Sequence, residues 1–237
     1  MGDSLQPAWL LHARPWRDTS LLIDLFAPDH GHVRAIARGA RRQRKGGSAR
    51  ALLQPFQPLW ANWSGRGDLH TLQSVESRGH PLMLTGRVLF SGLYVNELLE
   101  RLLPRDDPQP ELFDRYEALL AAFTAADAPL DILLRGFEMA LLDALGYGFS
   151  LAVDASGELL HPDHHYRFDP ETGLLPAYDQ EGDLFSGAHL LAFAAADYQP
   201  AARQTMKRLC RRALLSHLGP RPLVSRSLFG GDSNQQR

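Results

Sequence analysis

Cysteine is nearly missing from this chain: Cys210 is the one example in 237 residues. An intramolecular disulfide is therefore excluded, and so is a cysteine-rich zinc site. With Leu209, Ala213 and Leu214 around it, that thiol reads as a buried structural side chain rather than a nucleophile. Long apolar runs are missing too. No stretch approaches the ~18 residues of a membrane span, and the N-terminus lacks the charged-then-apolar layout of a signal peptide, so a soluble, cytoplasmic protein is expected. Gly65-Arg66-Gly67 and Gly146-Tyr147-Gly148 are lone glycine pairs, without a Walker lysine or a complete dinucleotide fingerprint. No nucleophile elbow occurs either, and no catalytic residue or cofactor is assigned.

The most informative absence is local. Between His30 and Gly67 there is no Asp or Glu at all, while Arg34, Arg38, Arg41, Arg42, Arg44, Lys45, Arg50 and Arg66 fall inside. Charges of one sign this dense repel one another, so they do nothing for folding, but they suit a polyanion. The formal net charge of −2 hides a segregation along the chain. From Glu97 to Asp183 there are 19 acidic and 5 basic residues, and from Gln199 to Gly231 there are 7 basic and none acidic. That second basic segment carries Arg203, Lys207, Arg208, Arg211 and Arg212. Local patches, not the total, decide nucleic-acid binding, and the two groups together form the expected DNA path.

The first eighty residues read as short strands. Ala8 to Ala13 and Ser20 to Ala27 are apolar runs separated by Arg14-Pro15-Trp16-Arg17-Asp18, and Asp29-His30-Gly31 turns into a third run. In that run Val33, Ala35 and Ala37 alternate with Arg34, and Arg38 continues its face until Gly39 breaks the pattern. Leu59 to Trp63 and Leu69 to Val75 flank a turn-like Ser64-Gly65-Arg66-Gly67-Asp68. Five short strands point to a small closed barrel of the oligonucleotide-binding (OB) type; an SH3-like barrel would leave much the same trace. Trp60 and Trp63, three apart on one strand, fall on different faces, so at most one is expected to be exposed for stacking on bases.

After Pro81 the period becomes helical. Thr85 can cap a helix with stripe Val88, Gly92, Val95, Leu99 and Leu102; Leu112, Tyr116, Leu119 and Phe123 form a second stripe; Leu134, Phe137, Leu141 and Leu145 form a third. Residues 147–185 lose all periodicity and read as an irregular insertion with one or two hairpins. Ser186 caps a short helix, and a last helix runs from about Thr205 to Leu218. The expected class is α+β: an OB barrel over residues 1–80, a helical domain over 81–229, and a disordered tail over 230–237.

Two further groupings carry possible chemistry. Asp163-His164-His165 with His161 spells the signature of DHH phosphoesterases and could hold a divalent metal. Such chemistry needs further Asp pairs ahead of it, and the first half offers only Asp106-Asp107 in a proline-flanked loop. A metal-dependent phosphoesterase or nuclease is thus the competing class, and an accessory protein for RNA or duplexes is a third. Arg135 is the only basic residue between Arg115 and Arg167. It can serve a salt bridge to nearby acids, or grip the carboxylate of a peptide whose apolar neighbour enters an aliphatic pocket.

Several strings resemble the bacterial recombination mediator family RecO. They are Arg14-Pro15-Trp16, Thr19-Ser20-Leu21, Ala37-Arg38-Gly39-Ala40-Arg41, Leu53-Gln54-Pro55-Phe56, Leu72-Gln73-Ser74, Ser91-Gly92-Leu93-Tyr94-Val95-Asn96-Glu97-Leu98-Leu99, Arg135-Gly136-Phe137-Glu138 with Leu141-Leu142, Leu145-Gly146-Tyr147-Gly148 and Pro222-Leu223-Val224-Ser225-Arg226. The resemblance implies an N-terminal OB domain and a helical domain. It implies binding of single- and double-stranded DNA, annealing of complementary strands, and loading of recombinase onto strands coated by single-stranded-DNA-binding protein (SSB). RecR is the implied partner, and RecF a further candidate. The acidic C-terminal tail of SSB is expected at Arg135 with Leu134, Phe137, Phe113 and Tyr116. Many relatives carry a four-cysteine zinc module after Leu-Gly-Tyr-Gly; residues 147–185 hold no cysteine, and no metal is expected.

Overall fold

The computed structural model describes residues 4–42, 49–65, 67–179 and 181–229. The tail assigned to disorder lies outside them. The first strands are β1 (Gln6–Trp16), β2 (Ser20–Ala27) and β3 (Gly31–Ala37); the short helix α1 (Ala49–Leu52) leads to β4 (Pro58–Ser64) and β5 (His70–Ser77). They close into a barrel in the order β1-β2-β3-β5-β4, with β4 returning antiparallel to β1 and β3 meeting β5 in parallel. This is the five-stranded OB arrangement, followed by helices, as the alternation predicts. Val33, Ala35 and Ala37 point inward beside Leu10, Ile23, Leu25 and Leu59, all buried.

Two helices pack with the barrel, α2 (Gly86–Leu102) and α3 (Pro110–Ala122). The Ser-Gly-Leu-Tyr-Val-Asn-Glu string on α2 has a position-by-position reason. At Gly92 a Cβ would lie 2.7 Å from the Phe56 ring, so the glycine lets that buried aromatic lie against the helix. The β1–β2 register shifts between Leu10 and His12, and a bulge leaves carbonyls unpaired. Asn96 Nδ2 donates to the Leu10 and Leu11 carbonyls (3.4 and 3.3 Å), and the Tyr116 hydroxyl donates to Asn96 Oδ1 (2.7 Å). Glu97 accepts the Val224 and Ser225 backbone N–H groups, both at 2.8 Å, and the Ser225 hydroxyl at 2.5 Å. Those bonds hold the start of a short C-terminal helix, Ser225–Leu228.

The second compact unit is Pro129–Pro222. It contains α4 (Leu130–Ala144), the strands β6 (His165–Asp169), β7 (Gly173–Ala177) and β8 (Phe185–Ser186), then α5 (Gly187–Ala194) and α6 (Pro200–Leu218), the short C-terminal helix of the first unit being α7. The segment read as an irregular insertion with one or two hairpins holds a three-stranded sheet, β7-β6-β8, in which β6 and β7 form such a hairpin. Tyr166, Phe168, Leu174 and Phe185 are its buried residues. Asp154 and Asp169 accept nearby backbone N–H groups at 2.8 to 3.2 Å and so pin two of its turns. Cys210 is fully buried, and burial pushes its thiol well above the usual range, as a structural cysteine requires.

Inside the first unit one carboxylate stands apart. Asp24 is 1% exposed, and its Oδ1 accepts from His32 Nε2 (2.9 Å) and Arg34 Nε (2.6 Å). Burial alone would raise its carboxyl, but the bonds from His32 and Arg34 and the Arg34 charge outweigh that and hold it below the ordinary carboxylate range. A group depressed in the native state contributes stability above its unfolded value, near 3.9, and that contribution is lost as pH falls through the lowered native value. Urea titrations between pH 5 and pH 3 should therefore show a steeper loss of stability in the wild type than in Asp24→Asn, which starts lower but has less left to lose. Equal pH slopes would contradict this.

Candidate nucleic-acid interface

A cleft opens where three connections of the barrel meet. The β1–β2 turn, residues 17–19, is tight, with Arg17 at φ 50°. After β3 the chain turns at Gly39, φ 66°, a conformation that glycine adopts at no steric cost. Leu69 ends the β4–β5 loop. Together Trp16, Arg17, Thr19, Ser20, Ile36, Arg38, Gly39, Arg42 and Leu69 line a cavity of about 560 Å³. Arg17, Arg38 and Arg42 are exposed, Trp16 is half-buried, and none of the nine is acidic. An indole and three arginines lining one cavity offer stacking for a base and counter-charge for the phosphates beside it. The strand 2–3 face with the β1–β2 and β4–β5 loops is the surface on which OB barrels take oligonucleotides.

The arginines of the basic run divide by partner. Arg34 and Arg38 fall on the face expected, but Arg34 turns inward on Asp24 and reaches Glu100 of α2 through Nη2 at 3.1 Å. Both ends of its guanidinium are thus held by carboxylates of its own unit. Arg41 donates to the Arg17 and Asp18 carbonyls (3.4 and 3.3 Å), and its N–H donates to Thr19 O (2.9 Å). It thereby ties the β1–β2 turn to the loop after β3. Arg50 is exposed on α1. Arg44, Lys45 and Arg66 lie outside the described residues. Trp60 is 38% exposed and Trp63 is 9%, so one of the pair is outside, as their spacing predicts. Arg17 went unassigned in the sequence because it sits in a turn next to Asp18 rather than in the acid-free run.

The second basic group is on α6, in the other unit. Lys207, Arg211 and Arg212 are exposed along it. Arg203 is clamped in a fork on Asp131 of α4, at 2.5 and 2.7 Å, which holds the Asp131 carboxyl below its usual range against the effect of burial. Arg208 bonds Asp183 and the Leu184 carbonyl and lies over the Phe185 ring. Both arginines are thus paired with carboxylates of their own unit.

At Arg135 the open receptor expected of the sequence is not what the structure has. Arg135 is 6% exposed and its Nη2 donates to buried Glu138 at 2.5 Å. Leu134 and Phe137 are buried beside it on α4, while in the first unit Phe113 is tilted against Phe26 and Tyr116 is edge-on to Trp9 of the barrel. The salt-bridge reading of Arg135 is the one realised. The His161 and His164 rings sit 4.6 Å apart and Asp163 lies 3.8 Å from His161. Yet among the described residues no group of three or more His, Cys, Asp or Glu side chains is placed to hold a metal ion. Nor is any helix among them long and apolar enough to cross a membrane.

Comparison with known proteins agrees along the chain. A family model described as "Recombination protein O N terminal" matches residues 1–80, and one described as "Recombination protein O C terminal" matches residues 84–227. A curated "DNA repair protein RecO" of Pseudomonas aeruginosa (strain LESB58) is 51% identical over 225 residues, 94% of each chain. The protein of that name from Stutzerimonas stutzeri is 48% identical, covering 94% of this chain and 92% of that one. The one from Methylococcus capsulatus is 46% identical over 231 residues, 97% of this chain and 94% of the relative.

Partnering makes the arginines separable by stability alone. Arg34→Ala leaves Asp24 short of a countercharge and should cost roughly 2–4 kcal/mol, a little under the range for a fully buried pair because the arginine is 19% exposed. Arg38→Ala and Arg42→Ala, exposed at the cleft, should stay within about 0.5 kcal/mol of wild type. Chemical denaturation of the three variants checks the division; equal losses would erase it.

Proposed function

The chain belongs to the RecO family of DNA repair and recombination proteins, which are mediators and not enzymes, and from that premise we propose that it binds single strands in the barrel cleft and anneals complementary strands. The observation that carries this reading is the cleft itself: one half-buried tryptophan, three exposed arginines and no acid. The basic face of α6 adds a second phosphate-binding surface, through Lys207, Arg211 and Arg212. Annealing needs no bond to be made or broken. Two strands repel through their phosphates, and a protein that neutralises part of both lowers that repulsion while the base edges stay free to pair.

This reading extends to loading recombinase onto SSB-coated strands, with the SSB tail, RecR and a RecF-like protein as candidate partners in the cytoplasm, at the nucleoid. It rests on the family and on the two basic surfaces. Capture of the SSB tail by Arg135 requires Glu138 to release it.

Binding of labelled oligo-dT across a salt series provides the test. Three phosphate contacts predict a share of about −2 in the log–log salt slope at −0.7 per contact on single strands. Arg17→Ala, Arg38→Ala and Arg42→Ala combined should flatten the slope by that amount and slow annealing. Trp16→Ala should weaken binding by about tenfold or more with the slope unchanged, because stacking is worth roughly 1–3 kcal/mol per base and carries no charge. A triple variant with wild-type slope and wild-type annealing would remove the cleft from the DNA path.

A further inference from the structure

We propose that Arg105 and Asp106, in the connection between α2 and α3, are positioning residues that hold the β4–β5 loop at the cleft. The proposal rests on the cleft being the DNA site and deepens it by naming what keeps one wall in place.

The barrel is thinnest at that wall. Between β3 and β5 only Ala35↔His70 and Ile36↔Thr71 are in register, whereas β2 and β3 pair over their full length. Just before this seam the chain passes through Asp68 and Leu69, and Leu69 lines the cleft. A short parallel contact leaves such a loop weakly specified unless something outside the barrel holds it.

The α2–α3 connection supplies the hold. It is seated on the β2–β3 turn: Arg105 bridges Gly31 and His32, the Asp106 N–H donates to His32 O (3.0 Å), and the Gln109 N–H donates to Pro28 O (2.9 Å). Gly31, at φ 59°, has no room for a side chain, since a Cβ there would run into the Asp107 carbonyl. From this seat Arg105 Nη1 donates to Asp68 O (3.4 Å), and the Asp106 carboxylate faces His70 Nε2 at 3.0 and 3.2 Å. His70 Nδ1 is buried with no hydrogen bond among the described residues, so the ring proton belongs on Nε2, where the carboxylate accepts it. Asp106 itself holds φ 55°, a region that Asp and Asn enter more readily than other side chains.

Charge gives the inference its edge. A carboxylate beside a polyanion site repels the ligand, so by charge alone its removal should tighten binding. If Asp106 positions the loop, its removal should weaken binding instead. Asp106→Gly deletes the carboxylate and keeps the backbone conformation; His70→Phe deletes the same bond from the other side. Anisotropy titrations of oligo-dT at fixed salt should show each variant about fivefold weaker, the scale of one ordinary hydrogen bond. The double variant should be no weaker than either single, because both remove one interaction. Asp106→Asn retains an acceptor oxygen and tolerates the backbone, and it should bind at least as well as wild type. Salt slopes should not change in any of the four, since no phosphate contact is lost. The inference is overturned if Asp106→Gly and His70→Phe bind as tightly as wild type or tighter while Trp16→Ala weakens binding. Should Asp106→Gly melt early, the His70→Phe arm decides alone. If Trp16→Ala binds normally, the cleft reading has failed and this inference falls with it.

Discussion

Asp24 is a carboxylate sealed inside a barrel wall, and the barrel's charged surface follows from what must neutralise it. A buried ion with no partner costs several kcal/mol, so the strand next door has to supply cations. His32 and Arg34 of β3 do so, and Glu100 of α2 takes the other end of the Arg34 guanidinium. One side chain thus ties β2 to β3 and β3 to the first helix. The same network sorts the arginines. Arg34 is drawn inward and spent on the fold, while Arg38, four residues on and past the strand's end, keeps its charge on the outside.

What remains outside is concentrated at one place by the topology. A five-stranded barrel brings the β1–β2 turn, the end of β3 and the β4–β5 loop together, and in this chain those connections hold Trp16, Arg17, Arg38, Arg42 and Leu69. The acid-free run supplies Arg38 and Arg42, the β1–β2 turn supplies Arg17, and Arg41 fixes that turn beside the tryptophan. This grouping of an indole and three arginines is the basis of the proposed single-strand binding. The overall charge of −2 is no obstacle, because the acids are consumed elsewhere. Asp131 holds Arg203, Asp183 holds Arg208, and Glu138 holds Arg135.

Much of this could be read from residue order. Apolar runs, one alternating stretch and the turn residues between them located all five barrel strands, and Ser20 to Ala27 coincides with β2 to the residue. Thr85 and Ser186 sit at the N-caps expected, although neither side chain makes a capping bond. Local pattern failed at two kinds of place. Strands β6 to β8 are short and turn-rich, so their alternation never exceeds a few residues. The start of α6 at Pro200 precedes its apolar stripe, and proline in a first turn looks like a break when the stripe is the guide. The larger failure concerned pairing. Arg34 and Glu100 are 66 residues apart, and Arg203 and Asp131 are 72 apart. Spacing puts a cation on a face; only the fold shows which carboxylate already holds it.

The central claim is that the fold leaves a specific set of side chains, around Trp16, for single-stranded DNA. Photo-crosslinking of the full-length chain to a uniform single strand, with adducts mapped by mass spectrometry, tests it most directly. The account predicts adducts on the peptide carrying Trp16 and on those spanning Ile36 to Arg42 and Leu69, with none at Arg34 or Arg135. Adducts confined to α6, with the Trp16 peptide unmodified, would contradict it.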